Sequence, residues 1–282
     1  MTIALDLMEL DSKATPDAVA TEIMRQNPAI SAPIPVEEIA KAAGIIDIQP
    51  LQSEAFEGML VANPEKSEGI VFVNQNRPKQ RQRFTIGHEV GHFLLPWHRN
   101  LKDGALTFEC TTEDMHVSQS RKTDVRTDWE VQANEFSSEL LMPRLLFKKH
   151  MRRKDEPDMA HVLDLASLFD TSVEATARRY VALSDYPIAM VFAQGKCVRH
   201  AWRGPDFPYF LDVRKGSALP KGSPSATDAR DDSVSTFDSV ESYWWIDADR
   251  GPRPPDYILE QTLYQREGYR ITILYVEAEE EG

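Results

Sequence analysis

His88 and His92 stand four residues apart, with Glu89 beside the first, in the run RQRFTIGHEVGHFLL at 81–95. On a helix, positions i and i+4 share one face, about 6 Å apart along the axis, so both imidazoles can reach one ion only if this run is helical. No other feature of the chain constrains its fold as tightly. It predicts a helix over about 80–95, closed by Pro96. Ile86, Val90, Phe93 and Leu94 fall on the other side and predict anchoring in a core. Gly87 and Gly91 leave room for a second backbone to come close.

Two imidazoles one turn apart suit zinc. Glu89, a step round the same edge, reaches a water at the metal without ligating it, which suits a general base. The rival is an exposed helix with two coincidental histidines, and the apolar stripe and the glycines argue against it. A catalytic zinc takes three protein ligands and keeps one position open. A second helix over about 127–141 offers Glu130, Glu135 and Glu139. At about 100° per residue, Glu130 shares an arc with Ala133, Asn134, Ser137, Leu140 and Leu141, which is small and apolar and so faces protein. Glu135 and Glu139 fall opposite, toward solvent. An acid on a buried face needs a partner, and a cation is one. Glu130 is the predicted third ligand; its competing role is a core-edge carboxylate paired with an arginine. Zinc is the metal expected here, and manganese or iron suits the same ligands.

The chain around these helices is long enough for two domains, at 282 residues. Helices are predicted after Thr15-Pro16-Asp17 and after Pro35, the second ended by Gly44. Strands follow at 45–49, 58–62 and 69–74. Residues 97–127 read as polar and irregular, with a short element near Phe108. Helical stretches over 143–154 and 160–183, the latter broken at Asp170-Thr171-Ser172, complete the first half. After Asp185 strands are expected at 188–193, 198–202, 209–213 and 243–246, then a hairpin of 262–265 and 269–276. Residues 215–239 read as a mobile loop. The class is α+β: a small mixed sheet with a zincin-like helical core over 1–185, including the helical segment 144–183, then a β-rich domain over 186–282.

Composition excludes several functions. A net charge of -13 argues against nucleic-acid binding by the whole surface. With only Cys110 and Cys197, a disulfide framework is not expected, and a reducing compartment fits better. The N-terminus has no basic region before an apolar run, and no stretch is long enough to span a bilayer, so a cytoplasmic protein is expected.

The two motifs RQRFTIGHEVGHFLL (81–95) and EVQANEFSSELLMP (130–143), with PIPVEEIAKAAGI (33–45), EGMLV (57–61) and IVFVN (70–74) upstream, resemble the ImmA/IrrE family of metallo-endopeptidases. The resemblance covers about residues 15–185. It implies His88, His92 and Glu130 as metal ligands and Glu89 as catalytic acid/base. It also implies a substrate class: a helix-turn-helix repressor, cut to release stress-response or mobile-element genes. The long stretch between His92 and Glu130, with Cys110 and His116, departs from the family pattern. A non-catalytic, metal-stabilised regulator that binds DNA or protein is the alternative.

Residues 166–180 resemble a helix-turn-helix carrying Arg178-Arg179; a helical pair finishing the core is the favoured role over DNA contact. Lys148, Lys149, Arg152, Arg153 and Lys154 form a basic patch. Cys110 reads as a buried structural cysteine, with metal ligation or oxidant sensing as its functional alternatives. Trp244-Trp245 read as strand residues facing opposite ways. Tyr180, His98 and His116 are oxyanion-stabilising candidates, each with a structural role as its default.

Overall fold

The structure, a computed structural model, describes residues 2–102, 104–114, 125–152, 156–227 and 229–277. Contacts divide the chain into two compact units, one holding residues up to 147 together with 167–172, the other holding 148–166 and the chain from 173 on.

The first unit opens with helices α1 (Leu7–Asp11), α2 (Pro16–Gln26) and α3 (Val36–Ala43). Pro16 starts α2, where a missing N–H costs nothing. Val36, Ile39, Ala40 and Ala43 put one buried face on α3, and Gly44 ends it with φ 115°. Strands β1 (Ile45–Leu51), β2 (Phe56–Ala62) and β3 (Gly69–Asn74) lead into helix α4 (Lys79–Leu94). Then come β4 (Leu101–Lys102), β5 (Ala105–Thr111) and α5 (Val125–Leu141), followed by α6 (Arg144–Met151), within which the division at residue 147 falls.

The sheet order is β1-β3-β2-β5-β4. β1 runs parallel to β3 and the other pairs are antiparallel, so the sheet is mixed, as expected. β3 is an interior strand with β1 and β2 on its two edges. One expectation fails here. β5 falls where irregular chain was predicted: Leu106, Phe108 and Cys110 alternate into the interior, and their backbone pairs along β2.

Helix α4 lies between this sheet and α5. Every residue from Thr85 to Leu95 is buried. A Cβ on Gly87 would fall 2.6 Å from Ser137 Oγ, and one on Gly91 3.0 Å from Phe136 Cδ1. The two glycines thus set how closely α4 and α5 approach, the role predicted for them. Glu139 corrects the helical-wheel reading: it is 8% exposed, not solvent-facing, and its carboxylate accepts from the backbone N–H of Arg144. That hydrogen bond makes burial of the acid tolerable at the start of α6.

Helices α7 (Met159–Phe169) and α8 (Val173–Leu183) flank the predicted break. The second unit then adds β6 (Ile188–Gln194), β7 (Cys197–Arg203), β8 (Ser233–Val234), β9 (Asp238–Glu241), β10 (Tyr257–Tyr264) and β11 (Tyr269–Tyr275). They form one antiparallel sheet in the order β7-β6-β11-β10-β8, with β9 also on β10. β6 and β11 are central and buried on both faces, hence their near-continuous apolar runs.

Three readings of this half are corrected. Residues 209–213 and 243–246 make no ladder; Leu211 and Ile246 share a single bridge, and Ser242–Trp244 is a 3-10 turn. Residues 215–239 are not a featureless loop. The carboxylate of Glu260, 1% exposed, accepts from Ser223 Oγ at 2.7 Å, from Ser225 N–H at 2.8 Å and from Trp245 Nε1 at 2.7 Å. A buried acid with three donors pins the segment where apolar anchors are few. Of the basic patch, Lys148 pairs with Asp185 at 2.6 Å, and Arg153 and Lys154 lie outside the described residues.

Candidate active site

The buried helix α4 presents His88, Glu89 and His92, each 0% exposed, and α5 presents Glu130, 2% exposed, to the same point. Nε2 of His88 lies 3.1 Å from Nε2 of His92 and 3.1 Å from Glu130 Oε2. His92 Nε2 is 3.4 Å from the same oxygen. Ligands held tetrahedrally at zinc distances of about 2.0–2.1 Å stand roughly 3.3 Å apart.

Proton positions can be worked inward from the periphery. Gln132 accepts from Trp97 Nε1 through Oε1, and its Nε2 donates to Asp128 Oδ2 at 2.9 Å, which fixes the amide's orientation. The same Oε1 stands 3.1 Å from His98 Nε2, so that nitrogen carries a proton. Burial, then the neighbouring His92, pushes the pKa of His98 down to about 2, so the ring is neutral and its Nδ1 is a lone pair. His92 Nδ1, 2.9 Å away, must therefore donate to it. On the other side Asn134 Nδ2 donates to the carbonyl of Asp114 at 3.0 Å, leaving its Oδ1 to accept from His88 Nδ1, also at 3.0 Å.

Both histidines thus turn Nε2 toward the same carboxylate oxygen. Burial pushes the His92 pKa down to about 4, so that ring holds no second proton at neutral pH and its Nε2 has none to give that oxygen. Glu89 adds to the deficit: both its carboxylate oxygens are buried with no hydrogen-bond partner. Burial, then the charges of Glu130 and Asp114, raises its pKa well above the ordinary range. A cation resolves all of this, and the N, N, O donor set fits zinc.

Supporting contacts hold the ligands. Lys66 Nζ donates to the carbonyls of His92 at 2.8 Å and Leu95 at 2.6 Å, at the C-terminal end of α4 where a cation is favoured. Phe108 of β5 stacks on His92 with ring centroids 4.2 Å apart. Two residues on, Cys110 brings Sγ to 3.4 Å from His88 Nε2 and 3.9 Å from Glu130 Oε2. Cys110 is buried, as expected of a structural cysteine, but beside groups that could hold a metal ion.

The structure therefore brings together His88, Glu89, His92 and Glu130. Among the oxyanion candidates, His98 orients His92 instead. Tyr180 sits in the second unit, edge-on to His161 with centroids 5.6 Å apart, and His116 lies outside the described residues. Sequence reasoning missed the roles of Asn134, Gln132 and Lys66. Asn134 was readable, since it shares the inward arc of Glu130.

Fold and site together define a metallopeptidase-like α+β domain, with a His-Glu-x-x-His helix facing a carboxylate from the next helix. Residues 43–180 match the family model described as the IrrE N-terminal-like domain, a peptidase family. No curated protein matches the chain. Among solved structures a Mycobacterium tuberculosis transcriptional regulator is similar at 9% identity and TM-score 0.44, over 95% of this chain and 73% of that one. A score that low transfers nothing. Among the described residues no helix is long and apolar enough to cross a membrane.

Proposed function

We propose that the protein is a zinc-dependent endopeptidase in which His88, His92 and Glu130 hold the metal and Glu89 is the general base. The observation that carries this is the convergence of two imidazole nitrogens and a carboxylate oxygen beside an unpartnered, buried carboxylate. When bound, zinc would polarise the scissile carbonyl and acidify a water. Glu89 takes the proton of the attacking water and returns it to the leaving amine nitrogen. Asn134 and His98 fix the ring orientations of His88 and His92.

For the substrate, the resemblance to ImmA/IrrE peptidases supports a helix-turn-helix repressor, and a cytoplasmic site of action follows from such a target. DNA binding by the chain itself is the less favoured alternative.

The test is metal content by elemental analysis, with repressor cleavage alongside. Wild type should hold about one zinc per chain and Glu130→Ala should lose it. Glu89→Gln should keep the metal and cut nothing. A folded wild type that takes up no zinc sinks the proposal. Zinc retained with no cleavage of any co-encoded repressor leaves the non-catalytic regulator instead.

A further inference from the structure

Arg270 of β11 is 7% exposed, and its hydrogen bonds all run through Nη1, to the carbonyls of Ser225 and of Thr227, the latter at 3.1 Å. Its Nε is buried with no partner. Among the described residues no carboxylate pairs with it. The two acids nearest in the fold are committed elsewhere. Asp232 pairs with Arg266 at 3.0 Å, and Glu260, beyond Thr262 on the same strand face, takes its three donors. A guanidinium keeps its charge in proteins, and a charge buried without a counter-charge is costly. The plainer role is a latch on the 3-10 turn Pro224–Ala226. That role accounts for Nη1 alone, and a neutral donor would fill it.

The edge left over is the one that reads oxyanions. Nε–H and the nearer Nη2–H form the fork that meets two oxygens of a carboxylate or phosphate side by side. Neither donates within the chain. Strand register sets what surrounds this edge. Arg270 stands opposite Tyr264 on β10 and Ala193 on β6. The Tyr264 ring lies against the guanidinium, with its centroid 5.4 Å from Cζ, and its hydroxyl donates to the carbonyl of Pro224 at 2.9 Å. One step along the same face Thr262 and Thr272 oppose each other, both buried, with their hydroxyls 3.0 Å apart. One hydroxyl proton serves that bond, and the other has no acceptor in the chain.

We propose that the Nε–Nη2 edge of Arg270 binds a small oxyanion, a carboxylate or phosphate group, within the second unit. The site is separate from the metal centre and does not rest on it. The anion supplies the counter-charge, while Nη1 keeps its hold on Ser225 and Thr227. Glu260 holds the same segment through Ser223 and Ser225. An occupied Arg270 therefore tightens residues 223–227 from their other end.

The experiment is calorimetric titration of the full chain with sodium phosphate and, separately, with sodium acetate, at an ionic strength held constant with sodium chloride. Arg270→Lys keeps the charge and loses the fork, so it subtracts binding at any other place. About one anion per chain is expected in wild type, bound about tenfold or more weakly by Arg270→Lys. Saturation by phosphate alone assigns a phosphate ligand, by acetate alone a carboxylate, and by both a ligand read through the shared fork. Equal binding by the two proteins, or none by wild type, overturns the proposal and leaves the latch. If Arg270→Lys does not fold, hydrogen exchange on wild type decides. The anion should slow the amides of 223–227 and β11, and slowing only elsewhere, or none, overturns the site.

Discussion

Gly58 of β2 lies directly against Glu89 of α4: a Cβ on Gly58 would stand 2.9 Å from Oε1 of the glutamate. The same Cβ would collide with the methyl group of Thr85, one turn earlier on the helix. The sheet therefore fixes the side of the site on which the carboxylate sits. Gly58→Ala is expected to destabilise the first unit by about 1–3 kcal/mol through overpacking. It should also lower peptidase activity more than metal content, because Glu89 is displaced and the ligands are not. Urea unfolding and zinc analysis on the same preparation check this. A variant as stable and as active as wild type would show that Glu89 does not depend on the sheet.

His98 orients His92 through the 2.9 Å contact between their Nδ1 atoms and is itself held by Gln132. His98→Phe keeps the aromatic volume and removes the acceptor. Zinc affinity should fall about 10–100-fold, the usual effect of losing a partner that orients a metal ligand. Competition against a chelator of known affinity measures it. Unchanged affinity would mean that packing alone positions His92.

Lys66 caps the end of α4 from a mostly buried position. Burial, then the charge of Arg99, pushes its pKa down to about 7. In the unfolded chain it titrates near 10.4. Between these values the unfolded state binds a proton that the folded state does not, so Lys66 makes stability rise with pH across that window. The melting temperature of wild type relative to Lys66→Met should therefore increase from about pH 7 to about pH 10. A constant difference would show that the ammonium keeps its proton on the two carbonyls.

Glu57 of β2 is 2% exposed and pairs with Arg77 at 3.1 Å and Arg81 at 3.3 Å, while Thr112 Oγ1 donates to it at 2.7 Å. Burial pulls its pKa up, but the hydroxyl and the guanidiniums win and hold it below the ordinary value. Its contribution is thus present above the unfolded pKa of about 4.3 and lost as pH falls through the folded value. Glu57→Gln should cost about 2 kcal/mol at pH 7, less than for a fully buried pair because both arginines are partly exposed. The cost should shrink as pH falls below the unfolded value of about 4.3 toward the lower folded value, where wild type becomes protonated too. Urea titrations at the two pH values test the sign.

What could be read from the sequence follows from the range of the interactions involved. His88, His92 and Glu130 lie on helices, where a fixed angle per residue tells which side chains share a face, and Glu130 was placed from that alone. Cys110 could not be placed so. Its strand alternates Leu106, Phe108 and Cys110 inward but carries Thr107 and Glu109 outward, so it resembled loop, and its meeting with His88 depends on the register of β5 on β2. His98 follows the Pro96 turn, beyond the reach of helical periodicity. In the second unit the sequence pattern misled because polar groups do the anchoring. Trp245 is buried by donating to Glu260 and not by a strand ladder. The Ser- and Asp-rich stretch before it is held by the same carboxylate.

The burial of α4 along its whole length from Thr85 to Leu95 has a consequence for how the protein changes with time. A helix enclosed on every side opens only when its unit unfolds, so its amide hydrogens belong to the slowest-exchanging class. His88, Glu89 and His92 thus lie on the most persistent segment of the first unit, and any faster event at the site has to come from what is laid over it. Hydrogen exchange should find the amides of β4 and β5 opening orders of magnitude sooner than those of α4. The clock of the site is then set by its cover and not by its floor.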